Sequence, residues 1–203
     1  MLVDEHTAAV LDALVPHVPF DGWTQKSLRA GLFSLGQPPE DAPLLFPGGA
    51  GEMIEACFSL SIARMEAAAA QEDLAAHRTP ARVRALLALW FAQNAGNKEA
   101  IRRALSWLSL PGNLARGLRI KAAMVDAVWH AAGDMSADFS WYTKRGILAA
   151  VFSTTLFYWL RDTSENNEAT LLFLDRRLQN VAWITKMRKR VEEKVKGRRF
   201  GVG

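Results

Sequence analysis

Apolar positions along the chain recur every three or four residues, the interval that places them on one side of a helix. Val10, Leu11 and Leu14 mark a first short helix, stopped before Pro16 and Pro19. Thr24 is placed to cap a second, with Leu28, Leu32 and Leu35 along one side. A third, short segment starts at Pro38-Pro39 and carries Glu40 and Asp41 in its first turn. Together these predict a helix-turn-helix-like part over residues 1–47. A glycine-rich loop then leads into a long helix over about residues 52–76. Thr79-Pro80 opens the next helix, to about 95. Asn97 caps another, to 110, ended by Pro111-Gly112. No stretch alternates with the two-residue period of a strand.

Over residues 113–132 the pattern predicts an apolar stripe of Leu118, Ala122, Val125 and Trp129, with Arg119, Asp126 and His130 opposite. Residues 146–160 hold no charge at all. As a helix that run measures about 22 Å, short of a hydrocarbon layer of about 30 Å, so a membrane span is not expected. A helix apolar all round is surrounded by protein or ligand. A last helix starts near 168 and enters the tail. The expectation is an all-α fold of eight to nine helices. Residues 1–181 form one domain, with 48–181 as its body and 182–203 as a tail.

Charge divides the chain unevenly. Residues 176–203 hold ten of the 25 bases and two of the 21 acids, a net of +8, which leaves the rest at −4. In the tail, Ile184, Met187, Val191 and Val195 fall on one side of a helix, and Lys186, Arg188, Lys189, Arg190, Lys194 and Lys196 cover the remainder. That is a basic amphipathic helix suited to an anionic membrane surface. Ile184, Lys186, Met187, Arg188, Lys189, Arg190, Val191 and Lys194 are its candidate membrane-binding residues. Residues 1–20 carry acids early and prolines late, unlike a signal peptide. One cysteine, Cys57, excludes an intramolecular disulfide framework.

Catalytic and metal chemistry have little to stand on. The chain has no Gly-x-Ser-x-Gly elbow and no paired Glu-x-x-His motif. Gly48, Gly49 and Gly51 lack the Gly-Lys-Ser/Thr ending of a phosphate loop. Asp126 and His130, four apart, lack further ligands at helical spacing and read as a solvent-facing pair. A non-enzymatic protein without metal or cofactor is expected.

Between Asp126 and Leu160 the residues crowd differently. Asp138, Phe139, Trp141, Tyr142, Lys144 and Arg145 put two adjacent large rings between an acid and two bases. One reading is a capped helix start with its rings turned inward. The other is a binding surface, since rings give contact area and charges give orientation. The wider run is Met124-Val125-Asp126, Trp129-His130, Ala132-Gly133-Asp134, Ser136, Asp138-Phe139 and 141–145. It resembles the signature of the ubiquinone biosynthesis proteins numbered nine in their pathway. Phe20-x-Gly22-Trp23-Thr24, Ser34-Leu35-Gly36, Leu110-Pro111-x-Asn113 and Phe173-Leu174 match in the same order, so the resemblance covers residues 8–181. Ser140 departs from it, where the family pattern has Asn.

The resemblance implies a TetR-like homodimer that binds isoprenoid quinone lipid and presents it to a di-iron demethoxyubiquinone hydroxylase. It implies that Asp138, Phe139, Trp141, Tyr142, Lys144 and Arg145 form the docking patch for that hydroxylase. Leu86, Leu89, Trp90, Ile101, Leu105, Met124, Val128, Leu148, Phe152 and Trp159 either fill a core or line a cavity. The isoprenoid-sized cavity of the related proteins implies the second. Such a protein is expected in the cytoplasm, peripherally associated with the inner membrane. The alternative is a TetR-type DNA-binding regulator. Against it, the third-helix region 37–45 carries two acids and no base, which sets like charge against phosphate. A helical adaptor without ligand is a third possibility.

Overall fold

The computed structural model describes residues 3–133 and 140–180, and among them every regular element is helical. The expected all-α fold is what is found. Helix α1, Glu5–Leu14, starts at Asp4, whose carboxylate accepts the Thr7 backbone N–H at 2.8 Å. Pro16 and Pro19 end it by opening two short successors, a 3-10 turn over Val15–His17 and helix α2, Val18–Asp21. Gly22, at φ +72°, turns the chain toward α3, Gln25–Ser34. Thr24 and Ser27 cap α3 reciprocally, as the Thr24 spacing predicts. A 3-10 turn at Pro39–Asp41 and the single-turn α4, Ala42–Leu45, complete the helix-turn-helix-like part.

This part is fastened to the body by chemistry as well as by packing. Trp23 Nε1 donates to the Ala100 carbonyl at 3.0 Å from a buried position. Arg64 holds Asp12 through two bonds of 2.8 and 2.6 Å.

The body consists of α5 (Ala50–Ala69), α6 (Thr79–Gln93), α7 (Lys98–Leu108), α8 (Leu114–Ala131), α9 (Ser140–Trp159) and α10 (168–180). Helix α5 packs on α6 and α8, and α8 packs on α9. At their centre Trp90 meets Phe91 and Phe152 edge-on at 5.3 Å and Trp159 at 5.9 Å, all four buried. The Trp90 N–H is satisfied by Ser61 Oγ at 2.8 Å. Cys57, on α5, keeps its thiol protonated: burial pushes its pKa up to about 12, and Asp12 adds to the effect.

Two expectations are corrected. Helix α5 ends at Ala69 and not near 76, because the polar run 71–73 breaks the pattern and only a 3-10 turn, Leu74–Ala76, follows. On α8 the buried face is Met124, Val125 and Val128. Leu118 is 61 % exposed and Ala122 is also exposed, because the first turns of α8 border an open groove and not the core.

Candidate functional site

The groove lies where α7, α8, α9 and α10 fail to close. It is open and measures about 1390 Å³. Leu108, Leu114, Leu118, Phe157, Tyr158 and Phe173 supply its apolar lining. Phe157, from the uncharged run, is 62 % exposed, so this helix is not covered all round by the described chain. Tyr158 stacks on Phe173 at 4.5 Å, which joins α9 to α10 across one wall.

Charge at the groove is one-sided. Arg102, Lys121, Arg161 and Arg177 line it, against one carboxylate, Asp162. Arg102 is engaged by Glu99 and by the Leu160 carbonyl. Asp162 caps the start of α10. Its oxygens accept the Ser164 and Thr170 backbone N–H groups at 2.8 Å and the Thr170 hydroxyl. Burial pushes the Asp162 carboxyl up, but the bonds from Ser164 and Thr170 outweigh it and hold its pKa at about 2. Asn166 and Asn167 turn the chain here with positive φ, and Asn167 accepts the Trp159 N–H at 3.0 Å.

A second region lies where α8 meets α9. Arg145 Nε donates to Asp126 Oδ1 at 2.6 Å, and Arg145 is mostly covered. Lys144 Nζ lies 5.8 Å from the centre of the Trp129 ring. Tyr142 is 73 % exposed one turn before. So of the six residues expected to form a docking patch, Lys144 and Arg145 meet α8 at this junction and Tyr142 stands exposed beside them on α9. Trp141 belongs to α9, and Asp138 and Phe139 lie outside the described residues, as do all the tail residues proposed for membrane contact. Of the Asp126–His130 pair, Asp126 is held by Arg145, and no cluster of three His, Cys, Asp or Glu exists among the described residues.

The ten residues proposed to line a lipid cavity are mostly elsewhere than the groove. Leu86, Trp90, Ile101, Met124, Val128, Leu148, Phe152 and Trp159 are buried in the core, and Leu89 is half-buried against it. Leu105 alone of the ten lines the groove. The groove residues themselves had one sequence signal, the uncharged run 146–160, which was expected to be surrounded by protein or ligand without saying which.

Comparison with known proteins places this geometry. A TetR transcriptional regulator from Nitrosomonas europaea superposes with a TM-score of 0.72 over 89 % of this chain and 99 % of that one. At 22 % identity the likeness is one of fold. The family model COQ9 matches residues 114–185, a span that contains α8, α9 and α10. The Schizosaccharomyces pombe ubiquinone biosynthesis protein coq9 is 30 % identical over 191 residues, 92 % of this chain and 74 % of that protein. The chain belongs to the COQ9 family. Mitochondrial COQ9 proteins of Rattus norvegicus and Homo sapiens are 32 % and 31 % identical over 85 % of the chain. The chain spans 57 % and 56 % of their lengths. The Tyr142 junction falls within the part that the COQ9 model matches, as do the groove residues from α8, α9 and α10, whereas the α7 wall, with Arg102, Leu105 and Leu108, precedes it. Among the described residues no helix is long and apolar enough to cross a membrane.

Proposed function

We propose that this chain is a non-enzymatic, lipid-binding accessory protein of ubiquinone biosynthesis. It binds isoprenoid quinone intermediates and presents them to a di-iron demethoxyubiquinone hydroxylase, making no bond itself. The observation that carries the reading is an open groove of about 1390 Å³ with aromatic and leucine lining, in a chain of the COQ9 family. The lipid-binding residues are accordingly reassigned to the groove, since eight of the ten first considered are buried core. The hydroxylase docks at Asp138, Phe139, Trp141, Tyr142, Lys144 and Arg145. The chain works as a homodimer at an anionic membrane surface, the inner membrane, reached by its basic tail.

The test is native mass spectrometry of the purified protein, alongside Leu118→Asp and Phe157→Asp. Both side chains are exposed in the groove, so neither variant is expected to lower the melting temperature by much. An isoprenoid lipid should accompany the native chain and be lost from both variants. Protein that carries no lipid, or variants that carry it as well as the native chain, would count against the reading.

The regulator alternative is disfavoured by one feature. Where a recognition helix would enter a groove of DNA stands α4, a single turn, beside Glu40 and Asp41 and the exposed Leu44.

A further inference from the structure

Helix α6 opens against its own dipole. Arg78 stands at its cap position and Arg82 and Arg84 follow in its first two turns, with no acid in the first. Cations are disfavoured at a helix N-terminus, so their compensation lies elsewhere. Arg82 and Arg84, about 200° apart around the helix, reach toward two different neighbours. Arg84 clasps Asp175 of α10 through two bonds, of 2.7 and 3.1 Å. Arg82 Nε donates to the His77 carbonyl at 2.7 Å, and its Nη1 to the Ala132 carbonyl at 3.2 Å. Ala132 caps the C-terminus of α8, so the guanidinium meets the negative end of that helix's dipole and one of its last carbonyls. A Cβ at Gly133 would lie 3.1 Å from Nη1, which shows how closely Arg82 sits against the chain where α8 ends.

The end of α8 that Arg82 holds is the footing of the docking surface. Its last two turns carry Asp126, which accepts from Arg145, and Trp129, which lies under Lys144. Tyr142 stands exposed beside them on α9. Val128 and Ala132 are buried, which fixes how deep these turns lie. Burial is non-directional and leaves their rotation and tilt less determined. A hydrogen bond to a carbonyl is directional, and Arg82 supplies one from a helix that also grips the chain at His77. We propose that Arg82 is a positioning residue for hydroxylase docking: it holds the end of α8 in the orientation that presents Tyr142, Lys144 and Arg145 to the partner. It acts through α8 and not as a contact. The inference rests on the docking reading and adds to it a residue far from the motif.

The experiment measures the affinity of the full chain for the purified di-iron hydroxylase, at a temperature well below the melting of every variant. Arg82→Gln, Arg84→Gln, Tyr142→Ala and the double variant Arg82→Gln, Tyr142→Ala are compared with the native chain. Arg84→Gln is the control, because it removes a two-bond clasp from the same helix that leads to α10 and not to α8. Arg82→Gln is expected to bind about tenfold more weakly, as for the loss of a hydrogen bond from a charged donor. Arg84→Gln should lower the melting temperature and still bind within about twofold of native. Because Arg82 works through the surface that holds Tyr142, the two losses should be less than multiplicative in the double variant. A purely structural role would move the melting temperature and leave both binding results untouched.

Arg82→Gln that binds like the native chain overturns the proposal. So does an equal loss in Arg84→Gln, since a loosening of α6 as a whole then explains both. Fully multiplicative losses in the double variant overturn it as well. Should Arg82→Gln not fold, Arg82→Lys takes its place: it keeps the charge but puts a single head where the fork bridged two carbonyls, and a loss of about threefold is expected. Tyr142→Ala separates this inference from the docking reading. Weakened binding there with native binding by the Arg82 variant keeps the docking surface and leaves Arg82 a structural clasp. Native binding by Tyr142→Ala removes the docking surface and, with it, the role of Arg82.

Discussion

At Gly31 the chain has no room for a single methyl group. A Cβ there would lie 2.9 Å from the Leu14 backbone nitrogen and 3.0 Å from the Ala13 carbonyl carbon, so α3 crosses α1 backbone against backbone. Gly31→Ala is expected to lower stability by about 1–3 kcal/mol through forced separation of the two helices. Gly96→Ala, where a Cβ would meet nothing within 4 Å, is the control and should melt close to the native chain. Calorimetry on both decides the point; equal melting would mean that α1 yields freely. Asp162 is a second position with a calculable role. Its carboxyl titrates near 2 in the fold and near 3.8 when unfolded, so its stabilisation is complete above about pH 4 and is lost as pH falls toward 2. Asp162→Asn should cost on the order of 1 kcal/mol at neutral pH, tempered by partial exposure, and flatten the acid loss between pH 4 and 2. Urea melts across that window provide the measurement.

Helix by helix, the boundaries were legible where a side chain caps or a proline interrupts. Thr24 opens α3, and Thr79-Pro80 opens α6, because these residues act locally on the backbone groups next to them. Faces were harder to read. Leu118 and Val125 both sit at apolar positions of α8, yet one meets solvent and the other the core. Periodicity says that two residues share a side, but which side is covered depends on helices far along the chain. The groove was illegible for this reason, being assembled from four helices and lined by residues that resemble core. The proposed docking patch rests on its motif, and on α9 it invites a direct test. Tyr142→Ala should leave the melting temperature within about 0.5 kcal/mol of native, as for an exposed side chain, and weaken hydroxylase binding by about 2 kcal/mol. A pull-down with unchanged affinity from a stable Tyr142→Ala protein would remove Tyr142 from the docking surface.

Taken whole, the molecule has a TetR-like fold whose helix-turn-helix-like part ends in the single-turn α4. Phe33 is 77 % exposed and Leu44 79 %, beside Glu40 and Asp41, where bases would be needed to meet phosphates. The bases are concentrated instead beyond residue 175. Duplex DNA is therefore expected to bind weakly, without sequence preference, and to be displaced steeply by salt. Fluorescence anisotropy over a salt series checks this; a footprint on a defined operator at physiological salt would restore the regulator alternative. The fold class was readable from spacing alone, whereas the single-turn length of α4, among Pro38, Pro39, Pro43 and Pro47, was not.

Cys57 offers a clock for the seam between these two parts. It shares a small gap with Val15, Trp23 and Ile101, on elements from both sides of that seam. Cys57 is half-buried, and burial pushes its thiol up to about 12, so alkylation at neutral pH is slow and speeds up when the seam opens and rehydrates the sulfur. A rise in the labelling rate of this one cysteine then reports local opening that no global melting curve resolves. Trp23→Phe, which deletes the N–H bonded to the Ala100 carbonyl, should make that clock run about tenfold faster, the equivalent of one hydrogen bond of about 1 kcal/mol or slightly more.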